Sequence, residues 1–180
     1  MTGERQLDPG SLGDHIDRLY RAAWSLCGSR EEAEDLVQET FARILRKPRI
    51  LRSEDDLGYL LRVLRNTFVS QRRTAARRPQ TAPLPETLDH LEDPAAVAPE
   101  SRLQAQELYA AIAELPDDFR DALVAVDLMG LSYREASRAL RVREGTVTTR
   151  LHRARQRVAD RLREEQSPSG PADRGSSAMP

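Results

Sequence analysis

"LSYREASRALRVREGTVTTRLHRARQRV", Leu131 to Val158, carries two amphipathic segments on either side of a four-residue turn. Ser132 is placed to cap a short first helix whose inward residues are Ala136, Ala139 and Leu140, and the small Ala136 lets a second helix approach closely. "RVRE" supplies the turn, and Gly145 and Thr146 open the second helix. Val147, Leu151, Ala154 and Val158 then recur at helical spacing as its buried stripe. This layout is that of a helix-turn-helix.

The residues left for the outer face are Thr148, Thr149, Arg150, His152, Arg153, Arg155 and Gln156. Hydroxyls come first and longer cations follow, a composition suited to base edges and phosphates in a major groove. Arg155 and Arg157, toward the far end, are expected on phosphates. From Arg134 to Arg163 there are ten arginines against Glu135, Glu144 and Asp160, a local net of +7. The whole 180-residue chain carries only −1, so the cation is gathered rather than general. Such a patch is the electrostatic footprint of a polyanion site.

Working outward, residues 101–165 form one helical block and residues 10–78 another. In the amino-terminal block Leu12, Ile16, Leu19, Tyr20, Ala23, Leu26 and Cys27 mark one helix face. Ser29 with Glu32 makes a capping box for the next helix, whose apolar residues are Leu36, Val37, Phe41, Ile44 and Leu45 and which ends before Pro48. Ser53 is placed to cap a third, striped by Leu57, Leu60, Leu61, Leu64 and Phe68. The second of these helices is acidic outside, through Glu31, Glu32, Glu34, Asp35 and Glu39. The third is the reverse: Arg62, Arg65, Arg72, Arg73, Arg77 and Arg78 lie in a run without acid from Leu57 onward.

Residues 79–100 hold most of a five-proline stretch with little periodicity and read as a flexible linker, across which the two blocks are expected to move. Residues 166–180 lack the composition for a core and are expected to be disordered. The fold class is therefore all-α, two small helical domains, with no strand pattern or phosphate loop. Cys27 is the single cysteine, which excludes an intramolecular disulfide and a cysteine-based zinc site and suits a small buried hydrophobe. His15 and His90 have no ligand set at metal spacing, and Trp24 reads as structural. No metal or other cofactor is expected. The absence of an apolar run of membrane-spanning length, or of a signal-peptide core, points to the cytoplasm.

Three fragments, "AEDLVQETFARIL", "GYLLRVLRNTFVSQRR" and "LPDDFRDALVAVDLMGLSYREASRALRVREGTVTTRLHRAR", together resemble a small bacterial RNA polymerase sigma factor of the extracytoplasmic-function group, within the sigma-70 family. The resemblance spans roughly residues 12–78 and 101–163 in the family's order. It implies that residues 10–78 are sigma domain 2, that 101–165 are sigma domain 4, and that the protein is not an enzyme. It implies contact with core polymerase, at the β′ clamp helices and β flap, with promoter DNA, and with an anti-sigma factor. Asp35, Leu36, Val37, Gln38, Glu39 and Phe41 would then dock on polymerase. Tyr59, Arg62, Arg65, Asn66, Ser70, Arg72 and Arg73 would meet the minus-ten element, and Thr146, Thr148, Thr149, Arg150, His152, Arg153 and Arg155 the minus-thirty-five element. The chain departs from the family where Tyr59 replaces a frequent Trp and Ser70 a frequent Asp, and Tyr59 reads equally well as a core aromatic. Two rival readings remain: a helix-turn-helix regulator that does not engage polymerase, and a sigma-like decoy that binds only an anti-sigma factor. A metal nuclease is disfavoured because the clustered acids lie along one helix, where they suit docking.

Overall fold

The computed structural model describes residues 5–6, 9–46, 50–51, 56–77 and 99–166. The Ser53 cap, most of the loop at 47–56, the linker through residue 98 and the tail from residue 167 lie outside the described residues.

A 3₁₀ segment, Pro9–His15, leads into α1, Ile16–Cys27. The stripe beginning at Leu12 is therefore split between two helix types; Gly10 and Gly13 both fall in the first part, and glycine disfavours an α-helical start. Gly28 ends α1 with φ of +81°, and its N–H donates to the Trp24 carbonyl at 2.7 Å. Helix α2, Arg30–Arg46, follows at once, and the Ser29 hydroxyl accepts from the Glu32 N–H at 3.3 Å as the capping box requires. Leu36, Val37 and Ile44 are buried on α2, and so is Thr40, whose hydroxyl donates to the Leu36 carbonyl at 2.7 Å and so needs no other partner. Leu45 is 53% exposed, contrary to its place in the expected stripe. It stands one residue past the inward Ile44, about 100° around the helix.

Helix α3, Asp56–Arg77, buries Leu60, Leu61, Leu64 and Phe68 against the first two helices. A two-residue antiparallel pair, β1 (Arg5–Gln6) with β2 (Ile50–Leu51), adds the one strand element among the described residues, which no alternation in the sequence announces.

The carboxyl-terminal block comprises α4 (Pro99–Ala113), α5 (Asp117–Leu123), α6 (Tyr133–Leu140) and α7 (Glu144–Gln166). A π-helical turn, Val124–Leu128, prolongs α5, and the Met129 N–H reaches the Val124 carbonyl at 2.9 Å. Arg141 ends α6 with φ of +58°, the one non-glycine left-handed residue among the described ones, which makes the sharp corner of the helix-turn-helix. Val147, Leu151, Ala154 and Val158 are all buried, as their spacing requires.

The two blocks pack on each other. Trp24 of α1 and Tyr109 of α4 lie with ring centroids 4.7 Å apart and planes tilted by 30°, and Tyr20 meets Trp24 edge-on at 5.8 Å. Trp24 is therefore structural, and its role is to join the halves. An added Cβ at Gly28 would come within 3.1 Å of the Ala113 side chain, so the close approach of α1 to α4 depends on that glycine. Cys27 sits beside this seam, where burial first and then Glu32 push its thiol up to about 12. It is half-buried, packed against the core rather than within it.

Gly28→Ala should expose this constraint. The left-handed backbone alone disfavours alanine by about 1–2 kcal/mol, before any displacement of Ala113. Chemical denaturation should show at least that loss; an unchanged midpoint would mean that α1 and α4 separate freely.

Candidate nucleic-acid interface

The second helix of the helix-turn-helix depends on how α6 begins and ends. Ser132 and Glu135 form a reciprocal capping box: the Ser132 N–H donates to Glu135 Oε2 at 2.8 Å, and the Glu135 N–H to Ser132 Oγ at 3.3 Å. Hydrogen bonds from the Ser132 hydroxyl and then its N–H hold the Glu135 carboxyl below the usual carboxylate range. Ala136 and Ala139 are buried, so α7 lies close across α6.

Helix α7 has two distinct sides. On one, Arg150 pairs with Asp118 of α5 at 2.5 Å, and Arg155 grips Asp127 through two hydrogen bonds of 2.6 and 2.9 Å. Arg157 lies over the Phe119 ring at 4.9 Å, and Arg161 reaches Glu114 at 3.2 Å. Arg150, Arg155 and Arg157, expected on the DNA side, also bind α7 to the preceding helices, and Arg155 and Arg157 remain exposed. The physical reason is non-local: the acids that balance them stand about thirty residues earlier in the chain.

On the other side Thr148, Thr149, His152, Arg153 and Gln156 are exposed, with no ion-pair partner for His152 or Arg153 among the described residues. Thr148 and Thr149 donate their hydroxyl protons to the Glu144 and Gly145 carbonyls at 3.0 and 2.9 Å. Their oxygens remain acceptors and their methyl groups remain available for apolar contact. Thr146 is half-buried at the helix start.

On α3, Arg62, Asn66, Arg72 and Arg73 are exposed, while Tyr59 and Ser70 are half-buried and Tyr59 packs against the core. Arg62 donates from Nε to the Gly58 carbonyl at 3.2 Å. Arg65 is not free: its Nε meets Asp121 Oδ2 of α5 at 2.6 Å. Phe68 lies 5.6 Å from the guanidinium carbons of both Arg72 and Arg120. Arg120 is itself buried, its Nη1 donating to the Ala113 carbonyl at 2.7 Å and its Nη2 bonded to Asp117.

On α2 the structure divides the expected polymerase-docking set. Leu36 and Val37 are within the core and are not available to any partner; they fix the helix that presents the others. Asp35 and Gln38 are exposed, Glu39 is partly so and pairs with Arg43 at 2.8 Å, and Phe41 is half-buried. Residue type alone does not distinguish an apolar base that touches a partner from one that only supports the face.

Sequence reasoning missed the acids of α5 and its extension. Asp117, Asp118 and Asp121 recur at helical spacing in "LPDDFRDALVAVD", a visible signal, but which arginines they meet follows only from packing. Among the described residues no group of His, Cys, Asp and Glu is arranged to hold a metal ion. Nor is any described helix long and apolar enough to cross a membrane.

Comparison with known proteins decides the family. Residues 12–78 match the model of Sigma-70 region 2, and residues 105–158 that of Sigma-70, region 4. The chain belongs to the extracytoplasmic-function group of RNA polymerase sigma factors. It is 41% identical over 173 residues to the ECF RNA polymerase sigma factor SigE of Mycolicibacterium smegmatis, covering 92% of this chain and 66% of that protein. Identity to the sigma factor EcfG of Rhodopseudomonas palustris is 33%, over 80% of this chain and 78% of that one. The sigma factor RpoE of Bartonella quintana, solved in complex with the anti-sigma factor NepR, shares the fold at a TM-score of 0.60 and 26% identity, covering 86% of this chain and 95% of the other. As a member of this group, the sigma factor binds core RNA polymerase and directs it to promoters.

Glu135 sets a pH dependence on the helix-turn-helix of this sigma factor. Its carboxyl titrates lower in the folded chain than in the unfolded one, so its contribution is present above the ordinary carboxylate range and is lost as pH falls through the folded value. Ser132→Ala should cost about 1 kcal/mol at neutral pH. Glu135→Gln should be less stable than the parent at neutral pH, and the gap should close on acidification. Denaturation midpoints of both proteins across that range measure it; a gap independent of pH would remove the charged cap from the account.

Proposed function

We propose that this sigma factor recognises promoters through two surfaces, one on α7 and one on α3, and docks on polymerase through α2. The observation that carries the reading is the division of α7. Its flanking arginines are tied to α5 and its π-helical extension, which position the helix, while Thr148, Thr149, His152 and Arg153 stay exposed without acidic partners among the described residues. A fixed helix with a free polar face can read bases at the upstream, minus-thirty-five element. Thr146 would sit at the phosphate near the helix start. Arg150 and Arg155, given their ion pairs, contribute chiefly by positioning the helix.

Domain 2, residues 10–78, would then hold the minus-ten element with Tyr59, Arg62, Arg65, Asn66, Ser70, Arg72 and Arg73. Exposed cations would follow the single strand, and the Asn66 amide would meet a base. Asp35, Gln38, Glu39 and Phe41 would face the β′ clamp helices, on the base made by Leu36 and Val37. Residues 79–100 would link this domain to domain 4, residues 101–165, which also meets the β flap. The protein works in the cytoplasm, performs no covalent chemistry and needs no cofactor. The complex of the Bartonella quintana relative with NepR supports an anti-sigma factor as a further partner of this chain.

Run-off transcription with core polymerase, on matched and upstream-mutated templates, tests the assignment. Arg153→Ala should narrow the preference for the matched template by about 1–3 kcal/mol, the usual worth of a base contact. Arg157→Ala, which removes packing on Phe119, should lower activity on both templates alike. Equal losses for the two variants would deny α7 a reading role. Separately, Asp35→Lys with Glu39→Lys should weaken core-polymerase binding in titration while helicity is kept, and unchanged affinity would displace α2 as the docking helix.

A further inference from the structure

We infer that a cavity where α1 and the start of α2 meet α4 is a binding site for a small aromatic monoanion. The cavity measures about 860 Å³, within the range of sites that enclose a small molecule, and it lies where two helical units meet, as many such sites do. Tyr20, Arg21 and Trp24 reach it from α1, Ala105 and Tyr109 from α4, and Ser29 from the turn before α2.

The polar groups nearest its aromatic wall are donors. Trp24 Nε1 is buried and has no acceptor among the described residues, and an N–H shut off from water is costly until an acceptor reaches it. Arg21 uses Nε on its own helix, donating to the Asp17 carbonyl at 3.2 Å, and its terminal nitrogens have no partner among the described residues. Burial pushes the Tyr109 hydroxyl above its ordinary range, and Arg21 is the charge that opposes this rise, so guanidinium and hydroxyl share one region of the wall. An indole N–H, a guanidinium and a phenol O–H thus border one space, and an anionic oxygen is the acceptor that suits all three. Around the rim three arginines, at 21, 30 and 102, stand against Asp17 and Glu31. A surplus of a single cation fits a carboxylate or sulfonate, whereas a polyphosphate would need several.

The rest of the ligand is fixed by the wall itself. Trp24 and Tyr109 lie with ring centroids 4.7 Å apart, and Tyr20 meets Trp24 edge-on, which gives a continuous aromatic surface. A planar ring placed there gains the offset or edge contacts that these side chains already make with one another. It would touch α1 and α4 together, so the site needs both halves of the chain.

Trp24 is the sole tryptophan of the chain and reports on the site directly. The probe is anilinonaphthalene sulfonate, an aromatic monoanion that accepts excitation energy from tryptophan, titrated into the full native chain. It should bind saturably, one per chain, with energy transfer from Trp24. N-phenylnaphthylamine, which keeps the rings and lacks the sulfonate, should bind about tenfold more weakly, the worth of one charge-assisted hydrogen bond. Arg21→Gln should weaken the anion by a similar factor, and Arg21→Lys should restore most of it. Ala105→Phe, which fills the cavity from α4, and Gly28→Ala, which disturbs the approach of α1 to α4, should both weaken either probe.

Binding that does not saturate, or that is unchanged in both Ala105→Phe and Gly28→Ala, puts the probe elsewhere and overturns the site. Equal affinity for the two probes, or no loss in Arg21→Gln, overturns the anionic character of its ligand.

Discussion

The arginines that join one helix of this protein to another are balanced by acids far away in the chain. Helix α3 after Asp56, and α7 from Gly145 to Ala159, carry several arginines and no acid of their own. The short acidic helix α5 packs on α7, and its Asp121 reaches Arg65 of α3, which itself packs on α6. Asp118 and Asp127 hold Arg150 and Arg155 of α7, while Asp121 holds Arg65 of α3. Buried Arg120 completes the arrangement by donating to the Ala113 carbonyl at the end of α4. The pairs on α7 are partly exposed, and each contributes modestly to stability. Together they reinforce the rotation of α7 that its buried stripe already sets.

That constraint connects to the seam between the two blocks. The Trp24–Tyr109 contact and the close approach at Gly28 hold α1 to α4, and the Arg65–Asp121 pair holds α3 to α5. The seam is apolar at one side and ionic at the other. Apolar contact favours the closed form without regard to partner, whereas the ionic contact can be exchanged for another anion of similar geometry. Burial works against the ionised form of Asp121 and raises its carboxyl above the ordinary range, with Arg65 opposing that shift.

The residues proposed to meet DNA and polymerase were legible in the sequence to different depths. Thr148, Thr149, His152 and Arg153 follow from helical phase alone, because the buried stripe Val147, Leu151, Ala154 and Val158 fixes which side of α7 is outside. Asp35 and Gln38 follow in the same way from α2. Leu36, Val37 and Leu45 show where phase is insufficient. Leu36 and Val37 are core, whereas Leu45, half a turn around the helix from Leu36, is 53% exposed. Periodicity gives an angle around one helix; it does not say how wide the neighbouring helix is at that level.

The sequence by itself determined the three helices of the amino-terminal block, the helix-turn-helix, the Ser29 cap and the Ser132 capping box, and the family to which the chain belongs. Each of these rests on contacts within a few residues or on a motif with fixed spacing, so local chemistry suffices. Tertiary structure decided which arginines are free. Arg150 and Arg153 are three residues apart and of one type, but Arg150 meets Asp118 and Arg153 meets none among the described acids. Arg65 and Arg62 differ likewise, one being held by Asp121 from more than fifty residues away. An ion pair needs two side chains within about 4 Å, and that separation is a property of helix packing rather than of sequence order.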